Sequence, residues 1–231
     1  MMLTLTFTQD LLIIILMVVM GAMAQHLVNK NYREYLQVPC SSGMTGGEAA
    51  KLFLEKNGIY DVNIQPSRGW LQDYYDPTSK TIMLTENNYY GRSISSIAVA
   101  CHEVGHAIQH ARNYKMLVLR NKLIPITNIS NQFSFFLLML GLLFGWMGLI
   151  WVGIGLFAVV AVFQLVTLPV EFDASHRALK FFREGNCMTM DESYGAKKVL
   201  NAAAFTYVAA LLTSVISIAR YILIFTNNRD E

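Results

Sequence analysis

Two histidines and a glutamate near the middle of the chain have types and a spacing that suit a metal site. They lie in the segment Cys101-His-Glu-Val-Gly-His-Ala-Ile-Gln-His110. On a helix, His102 and His106 would lie one turn apart on one face, about 6 Å along the axis, so that both imidazoles can bind one Zn²⁺. Glu103 would be offset, so its carboxylate could take a proton from a metal-bound water. The spacing therefore predicts a catalytic zinc site.

The simplest alternative is a buried helix whose histidines pack or hydrogen-bond with neighbours. That arrangement would leave two imidazoles and a carboxylate in mostly apolar surroundings without an obvious role, which costs free energy. His110 is not expected as a further ligand, because it lies eight residues after His102, about 12 Å along a straight helix. We expect His110 at the surface or beside a ligand rather than on the metal.

The third ligand must come from elsewhere in the chain, and the segment Leu168–Arg177 offers Glu171, Asp173 and His176. A second helix that begins at Pro169 would direct Glu171 toward the first helix. Asp173 is the second choice, either as a ligand or as a partner that orients an imidazole. An acid-rich helix start is also favoured by the helix dipole alone, so the residues by themselves leave the choice open.

The composition indicates a membrane protein. Hydrophobic residues make up 54% of the chain and charged residues only 15%, where about a quarter is usual for charged residues in soluble domains. The net charge of +2 is small, and no basic run is interleaved with aromatic residues. We therefore exclude nucleic acid as a partner and expect contact with membrane lipid.

The apolar stretches predict about four membrane spans. We expect a first transmembrane helix over residues 3–25, a helical hairpin over 133–168 that turns at Gly145–Gly148, and a last transmembrane helix over 202–225. Ala22–Ala24 resembles a signal-peptidase site. The preceding residues contain Asp10 and no basic residue near the start, however, so an uncleaved anchor is expected.

The segments 26–132 and 169–201 should lie on one side of the membrane and both termini on the other. Basic residues flank the spans on the first side: Lys30, Arg33, Arg112, Lys115, Arg120, Lys122, Arg177, Lys180, Arg183, Lys197 and Lys198. The terminal segments offer only Arg220 and Arg229. The positive-inside rule predicts a multi-pass protein of the cell membrane with a cytoplasmic catalytic region.

Local signals predict a small α+β region within 26–132. Thr45 and Glu48 form a capping-box pattern that opens a helix through Lys56. Short strands are expected at Val62–Gln65, Leu71–Tyr75 and Thr81–Thr85. If Thr81–Thr85 is an edge strand, it could hold an extended peptide by strand addition.

The helix that carries the histidines is predicted over about 93–111, with Ser93 or Ser95 as its cap. The predicted fold class is thus an α+β membrane protein with about four transmembrane helices and a small zincin-like domain at the membrane surface. In this scheme residues 26–132 form the catalytic region and residues 169–201 supply the third ligand.

The three cysteines, Cys40, Cys101 and Cys187, are widely spaced and include no CxxC pair. Neither a thiolate zinc site nor a disulfide framework is indicated. We interpret all three as small apolar residues.

Several blocks of the sequence resemble the YugP-like membrane zinc metallopeptidases. The specific blocks are HEVGHAIQ at 102–109 and LPVEFDAS at 168–175; the segments at 42–46, 71–77 and 93–101 support them. The resemblance covers nearly the whole chain. It implies His102 and His106 as metal ligands, Glu103 as the catalytic acid, and Glu171 as the third ligand.

The implied arrangement is similar to that of gluzincins, in particular the HtpX-type membrane proteases. Those carry Glu-x-x-x-Asp, whereas this chain has Ser175 four residues after Glu171. With the acid replaced, His176 or Arg177 would be the residues to stabilise the oxyanion.

Together these observations predict a membrane-anchored zinc endopeptidase that cleaves membrane proteins or peptides near the membrane. The alternatives are an intramembrane protease, disfavoured by the polar residues around the motif, and a non-catalytic membrane scaffold with a structural zinc. Structural sites usually have four protein ligands, so three ligands favour catalysis. A homo-oligomer is also considered, because Gly141 and Gly145 would allow close helix packing.

Overall fold

The computed structural model describes residues 7–67, 73–185 and 187–227. These residues form, in chain order, α1 Phe7–Leu36, α2 Gly46–Lys56, β1 Asn63–Ser67, β2 Tyr74–Asp76, β3 Thr81–Thr85, α3 Glu86–Tyr89, α4 Ile94–Ala111, α5 Lys115–Leu143, α6 Met147–Glu184 and α7 Met190–Asn227. The start of the predicted span 3–25 and the first two residues of the predicted strand Leu71–Tyr75 lie outside the described residues.

Among the described residues, four helices are long and apolar enough to cross a membrane: α1, α5, α6 and α7. This agrees with the prediction of about four spans. The turn between α5 and α6 contains Gly145, whose φ of +64° lies in the left-handed region that favours glycine. The helices are longer than the predicted spans, because α1, α6 and α7 each continue well past their apolar stretch.

The prediction of a separate helix that begins at Pro169 is wrong, because α6 runs through Pro169 without a break. Proline removes one backbone hydrogen bond and disfavours a helix at this position. The residues that follow compensate by packing: Val170, Ala174 and Ala178 are fully buried on one face. The third-ligand segment is therefore a direct extension of a candidate membrane span.

The three strands form one sheet in the order β1-β3-β2. β1 pairs with β3 in parallel, with Ile64 opposite Ile82, and β2 pairs with β3 in antiparallel orientation, with Tyr75 opposite Ile82. The expectation of an edge strand at Thr81–Thr85 is thus wrong. β3 carries the buried residues Ile82 and Leu84, and its apolar character suits the central position, where both edges are paired.

The chain divides into two compact units. The helical unit consists of Met1–Gln25, Leu119–Leu168 and Thr206–Glu231, and the mixed unit consists of His26–Val118 and Pro169–Phe205. Within the helical unit, Arg220 forms a bidentate ion pair with Asp10, in which Nη2 lies 2.8 Å from Oδ2. This pair joins α1 to α7.

The mixed unit contains the sheet, α2, α3 and α4, and parts of α1, α5, α6 and α7. Thr45 caps α2 in the predicted capping box with Glu48, and Ser93 caps α4. The core gathers buried side chains from these elements: Phe53, Leu54, Ile82, Leu84, Ile97, Val104, Phe181 and Phe182. The three cysteines are free and buried in the same core, as expected for small apolar residues, and burial raises the pKa of the Cys101 thiol.

Candidate metal centre

Helix α4 presents His102 and His106 side by side. The helix starts at the Ser93 cap, whose hydroxyl accepts a hydrogen bond from the Ser96 amide at 3.1 Å, and it is regular through both histidines. Their ring centroids are 4.8 Å apart, as the one-turn spacing requires. The side chains are only 15% and 12% exposed, so both imidazoles point into a sheltered site.

Glu171 on α6 completes a group of three potential ligands. Its Oε2 lies 3.3 Å from His102 Nε2 and 3.6 Å from His106 Nε2. One ligand atom from each residue lies within 4.8 Å of the others. In a tetrahedral zinc site with bonds of about 2.0–2.1 Å, ligand atoms stand about 3.3–3.4 Å apart. The donor set fits one zinc ion, and the two distances from the carboxylate to the imidazoles are close to this spacing.

The contact between α4 and α6 depends on a glycine. A Cβ atom at Gly105 would lie only 2.6 Å from the Ala174 carbonyl oxygen and 2.9 Å from the Ala174 Cα. Without a side chain at this position, the two backbones approach closely. Gly105 lies between the two histidines in sequence, and Ala174 lies three residues after Glu171. The close approach thus brings the carboxylate to the imidazoles.

The electrostatics of the site favour a charged Glu171. Burial alone would raise the pKa of its carboxyl, but the His102 and His106 imidazoles beside it hold that pKa well below its usual range. Glu171 is therefore an anion at neutral pH, which is the form that binds a metal.

Glu103 lies beside His102 in sequence and is buried, with 8% of its surface exposed. Burial raises the pKa of the Glu103 carboxyl, while the nearby His102 and His106 act in the opposite direction. Its side chain does not belong to the ligand group formed by the described residues. A buried carboxyl next to potential metal ligands is a group that could accept and release a proton.

Each imidazole has a partner on its second nitrogen. Ser175 Oγ lies 3.1 Å from His102 Nδ1. Ser175 stands where the HtpX-type proteases carry an acid, and it contacts one of the potential ligands directly. Gln109 Oε1 lies 3.1 Å from His106 Nδ1. Such partners orient metal-binding histidines.

Gln109 was not singled out from the sequence. Its side-chain nitrogen donates to the Val170 carbonyl oxygen and to Asp173 Oδ2, both at 2.8 Å. Its sequence signals are its position three residues after His106, on the same helix face, and its place at the end of the HEVGHAIQ block. Neither signal identifies its partners, so burial against α6 was needed to reveal the contact.

The remaining predicted residues lie around this group. Asp173 is not part of the ligand group among the described residues; it accepts hydrogen bonds from Gln109 and from Arg177, whose Nε lies 2.6 Å from Asp173 Oδ2. His176 is exposed. His110 is hydrogen-bonded to the Tyr75 hydroxyl, with its Nδ1 at 2.8 Å. The oxyanion roles considered for His176 and Arg177 stay predictions.

Comparison with known proteins defines the class to which this fold and site belong. Residues 10–226 match the model of a family described as "Putative neutral zinc metallopeptidase", and the chain belongs to this family. The chain is also 49% identical over 208 residues, covering 90% of its length and 92% of the relative's, to the "Putative membrane protease YugP" of Bacillus subtilis strain 168. No solved structure matches significantly.

Proposed function

We propose that this protein is a membrane-anchored zinc endopeptidase. In this proposal His102, His106 and Glu171 hold the metal, and Glu103 acts as the general base and then as the general acid. The observation that carries the proposal is the convergence of two imidazoles and one carboxylate, with ligand atoms within 4.8 Å, beside a buried glutamate. Membership of a zinc metallopeptidase family supports it.

Zinc bound by these residues would supply a Lewis acid that polarises a peptide carbonyl and lowers the pKa of water. Side chains of the protein would transfer the proton and orient the imidazoles. Glu103 accepts the proton of the attacking water and then donates it to the leaving amine, and its buried position beside the ligand residues suits both roles. Ser175 and Gln109 hold the imidazoles in place through their second nitrogens.

The ligand number favours catalysis over a structural zinc. Structural sites are usually closed by four protein ligands, and catalytic sites leave one position open. The ligand group found among the described residues contains three side chains. A non-catalytic scaffold would also have no use for a buried glutamate adjacent to the first ligand. This comparison supports the enzymatic function over the scaffold.

We further propose that the sheet and α4 form a zincin-like, gluzincin-type catalytic unit. The substrates would be membrane proteins or peptides near the membrane, because the ligand-bearing helix α6 is continuous with a candidate membrane span. The four apolar helices found among the described residues support contact with membrane lipid as part of this proposal. Self-association stays a hypothesis: Gly141 packs closely within the chain, where a Cβ would lie 2.6 Å from Ile150 Cγ1.

The proposal is tested by Glu103→Gln in the full-length, detergent-purified protein. We expect zinc content equal to that of the wild type and a loss of peptide-bond cleavage of about 100-fold or more, because general acid–base catalysis contributes at least that much. Glu55→Gln, at an exposed position of α2, is the matched control and should cleave normally. Cleavage by zinc-loaded Glu103→Gln at the wild-type rate would reject the mechanism.

A further inference from the structure

The side chain of Gln109 is a buried amide whose hydrogen-bond partners lie in and around the candidate metal centre. It lies on α4, one turn after His106, and none of its surface is exposed. Its oxygen lies 3.1 Å from His106 Nδ1. Its nitrogen donates two hydrogen bonds to α6, one to the Val170 carbonyl oxygen and one to Asp173 Oδ2. The side chain thus spans from one ligand-bearing helix to the other.

The partners of the Gln109 nitrogen determine the orientation of the amide. A backbone carbonyl and an ionised carboxylate only accept hydrogen bonds. If the amide were reversed, its oxygen would face two other acceptors, and buried polar atoms would be left unpaired at a substantial cost. The nitrogen must therefore face Val170 and Asp173, and the oxygen must face His106.

This orientation in turn determines which nitrogen of His106 carries the proton. The amide oxygen of Gln109 can only accept a hydrogen bond, so His106 Nδ1 must donate and must be protonated. The lone pair of the neutral imidazole is then on Nε2. That is the atom that lies 3.6 Å from Glu171 Oε2 in the ligand group, and it is the atom needed to bind a metal.

We propose that Gln109 is a positioning residue that couples the carboxylate of Asp173 to His106 and sets the metal-binding tautomer of that ligand. This inference rests on the proposed function, because it assigns His106 to a metal. The Asp173 carboxylate is itself held by Arg177, with Nε 2.6 Å from Oδ2 and Nη2 3.3 Å from Oδ1. The Asp173 carboxylate on α6 is thus linked to the His106 imidazole on α4 through the side-chain amide of Gln109.

In the part of the chain that the structure describes, the imidazole of His102 has a different kind of partner. His102 Nδ1 contacts the Ser175 hydroxyl at 3.1 Å, and a hydroxyl can either donate or accept. Ser175 therefore orients the His102 ring without selecting its tautomer. The two ligands differ in this respect, and His106 is the one that the surrounding protein prepares for the metal.

The test measures zinc affinity by competition with a chromogenic chelator, using full-length protein in detergent. Gln109→Leu removes the amide at similar volume, and we expect zinc to bind about 10–100-fold more weakly, as is typical when the partner of a ligand histidine is lost. Gln65→Leu, at an exposed position of β1, is the matched control and should bind zinc like the wild type. Thermal unfolding of the metal-free proteins, measured in parallel, separates metal binding from folding.

A double-mutant comparison tests the coupling itself. Asp173→Asn alone should weaken zinc binding, whereas in the Gln109→Leu background it should add little, because the route from Asp173 to His106 is already broken. An Asp173→Asn effect of equal size in both backgrounds would overturn the inference, as would wild-type zinc affinity in Gln109→Leu. If Gln109→Leu does not fold, Asp173→Asn, at a partly exposed position, is measured alone. Unchanged zinc affinity in Asp173→Asn would then overturn the inference.

The outcome also separates this inference from the proposed function. A wild-type protein that binds no zinc would reject both, because His106 would then have no metal to bind. Zinc-binding wild-type protein with an unaffected Gln109→Leu variant would reject only the coupling through Gln109 and leave the zinc peptidase function in place.

Discussion

Glu171 is the residue on which the proposed metal centre depends most, because α6 contributes no other member of the candidate ligand group found among the described residues. Its carboxylate lies within 3.6 Å of both imidazoles and is 4% exposed. Neutral imidazoles alone would give the metal no compensating negative charge, and Glu171 supplies it. The adjacent imidazoles keep the pKa of Glu171 low against the effect of burial, so that charge is present at neutral pH.

Glu171→Gln should therefore lower zinc affinity by more than the roughly 100-fold typical of losing an outer partner. The amide has the same shape but lacks the negative charge. His110→Ala is the comparison, since His110 contacts Tyr75 rather than the ligand group, and it should leave zinc affinity unchanged. Metal titration of both purified variants checks this. Loss of zinc in His110→Ala with retention in Glu171→Gln would show that the ligand set is assigned incorrectly.

At the scale of the elements, the site is produced by the crossing of α4 and α6. The crossing is close because Gly105 has no side chain, and the carbonyl of Ala174 occupies the space that a Cβ would need. Around it, Val104, Ala107 and Val170 are buried with at most 1% exposure. The well-packed surroundings leave the helices little freedom to move apart without cost.

Gly105→Ala should force this crossing to open and weaken both stability and zinc binding. Overpacking a filled interior typically costs about 1–3 kcal/mol, and here the clash is with backbone atoms that cannot rotate away. Gly155→Ala on α6 is the matched control, because nothing lies within 4 Å of a Cβ at that position. Thermal unfolding and zinc titration are the measurements, and equal behaviour of the two variants would contradict the role given to the crossing.

The same elements show which structural features can be predicted from sequence. Helices α2 and α4 follow from local signals: the capping pair Thr45 and Glu48 and the cap Ser93 act within one turn of each helix. The central position of β3 could not be predicted in this way, because strand order depends on pairing between distant segments. Here it placed the predicted edge strand in the middle of the sheet.

In the candidate metal centre too, some features follow from local sequence and others depend on contacts between distant segments. The pairing of His102 and His106 follows from helix geometry alone, whereas the choice of Glu171 over Asp173 needed family resemblance at the sequence level. The approach of Gly105 to Ala174 and the contacts of Gln109 depend on how α4 and α6 cross. Nothing in local spacing encodes such a crossing.

At the scale of the whole molecule, the four candidate spans among the described residues limit which chain segments can share one side of a membrane. The mixed unit combines His26–Val118 with Pro169–Phe205, so the segments on either side of the α5–α6 hairpin belong to one folded body. That both segments lie on the same side of the membrane stays a prediction. Basic residues are concentrated in these two segments rather than at the termini.

We expect the mixed unit to be cytoplasmic and both termini to lie on the opposite side, because flanking lysines and arginines are retained in the cytoplasm. Activity reporters fused after Glu231 and, in a truncated chain, after Lys122 measure this. The truncated fusion should report the cytoplasm and the full-length fusion the other side. A cytoplasmic signal from the full-length fusion would contradict the predicted topology.

X-ray absorption spectroscopy of the zinc-loaded, full-length protein is the most direct test of the metal centre itself. The predicted spectrum shows a nitrogen and oxygen shell at about 2.0–2.1 Å with two imidazoles and no sulfur, because the buried Cys40, Cys101 and Cys187 do not belong to the ligand group found among the described residues. A sulfur shell at about 2.3 Å, or a third imidazole, would contradict zinc bound by His102, His106 and Glu171.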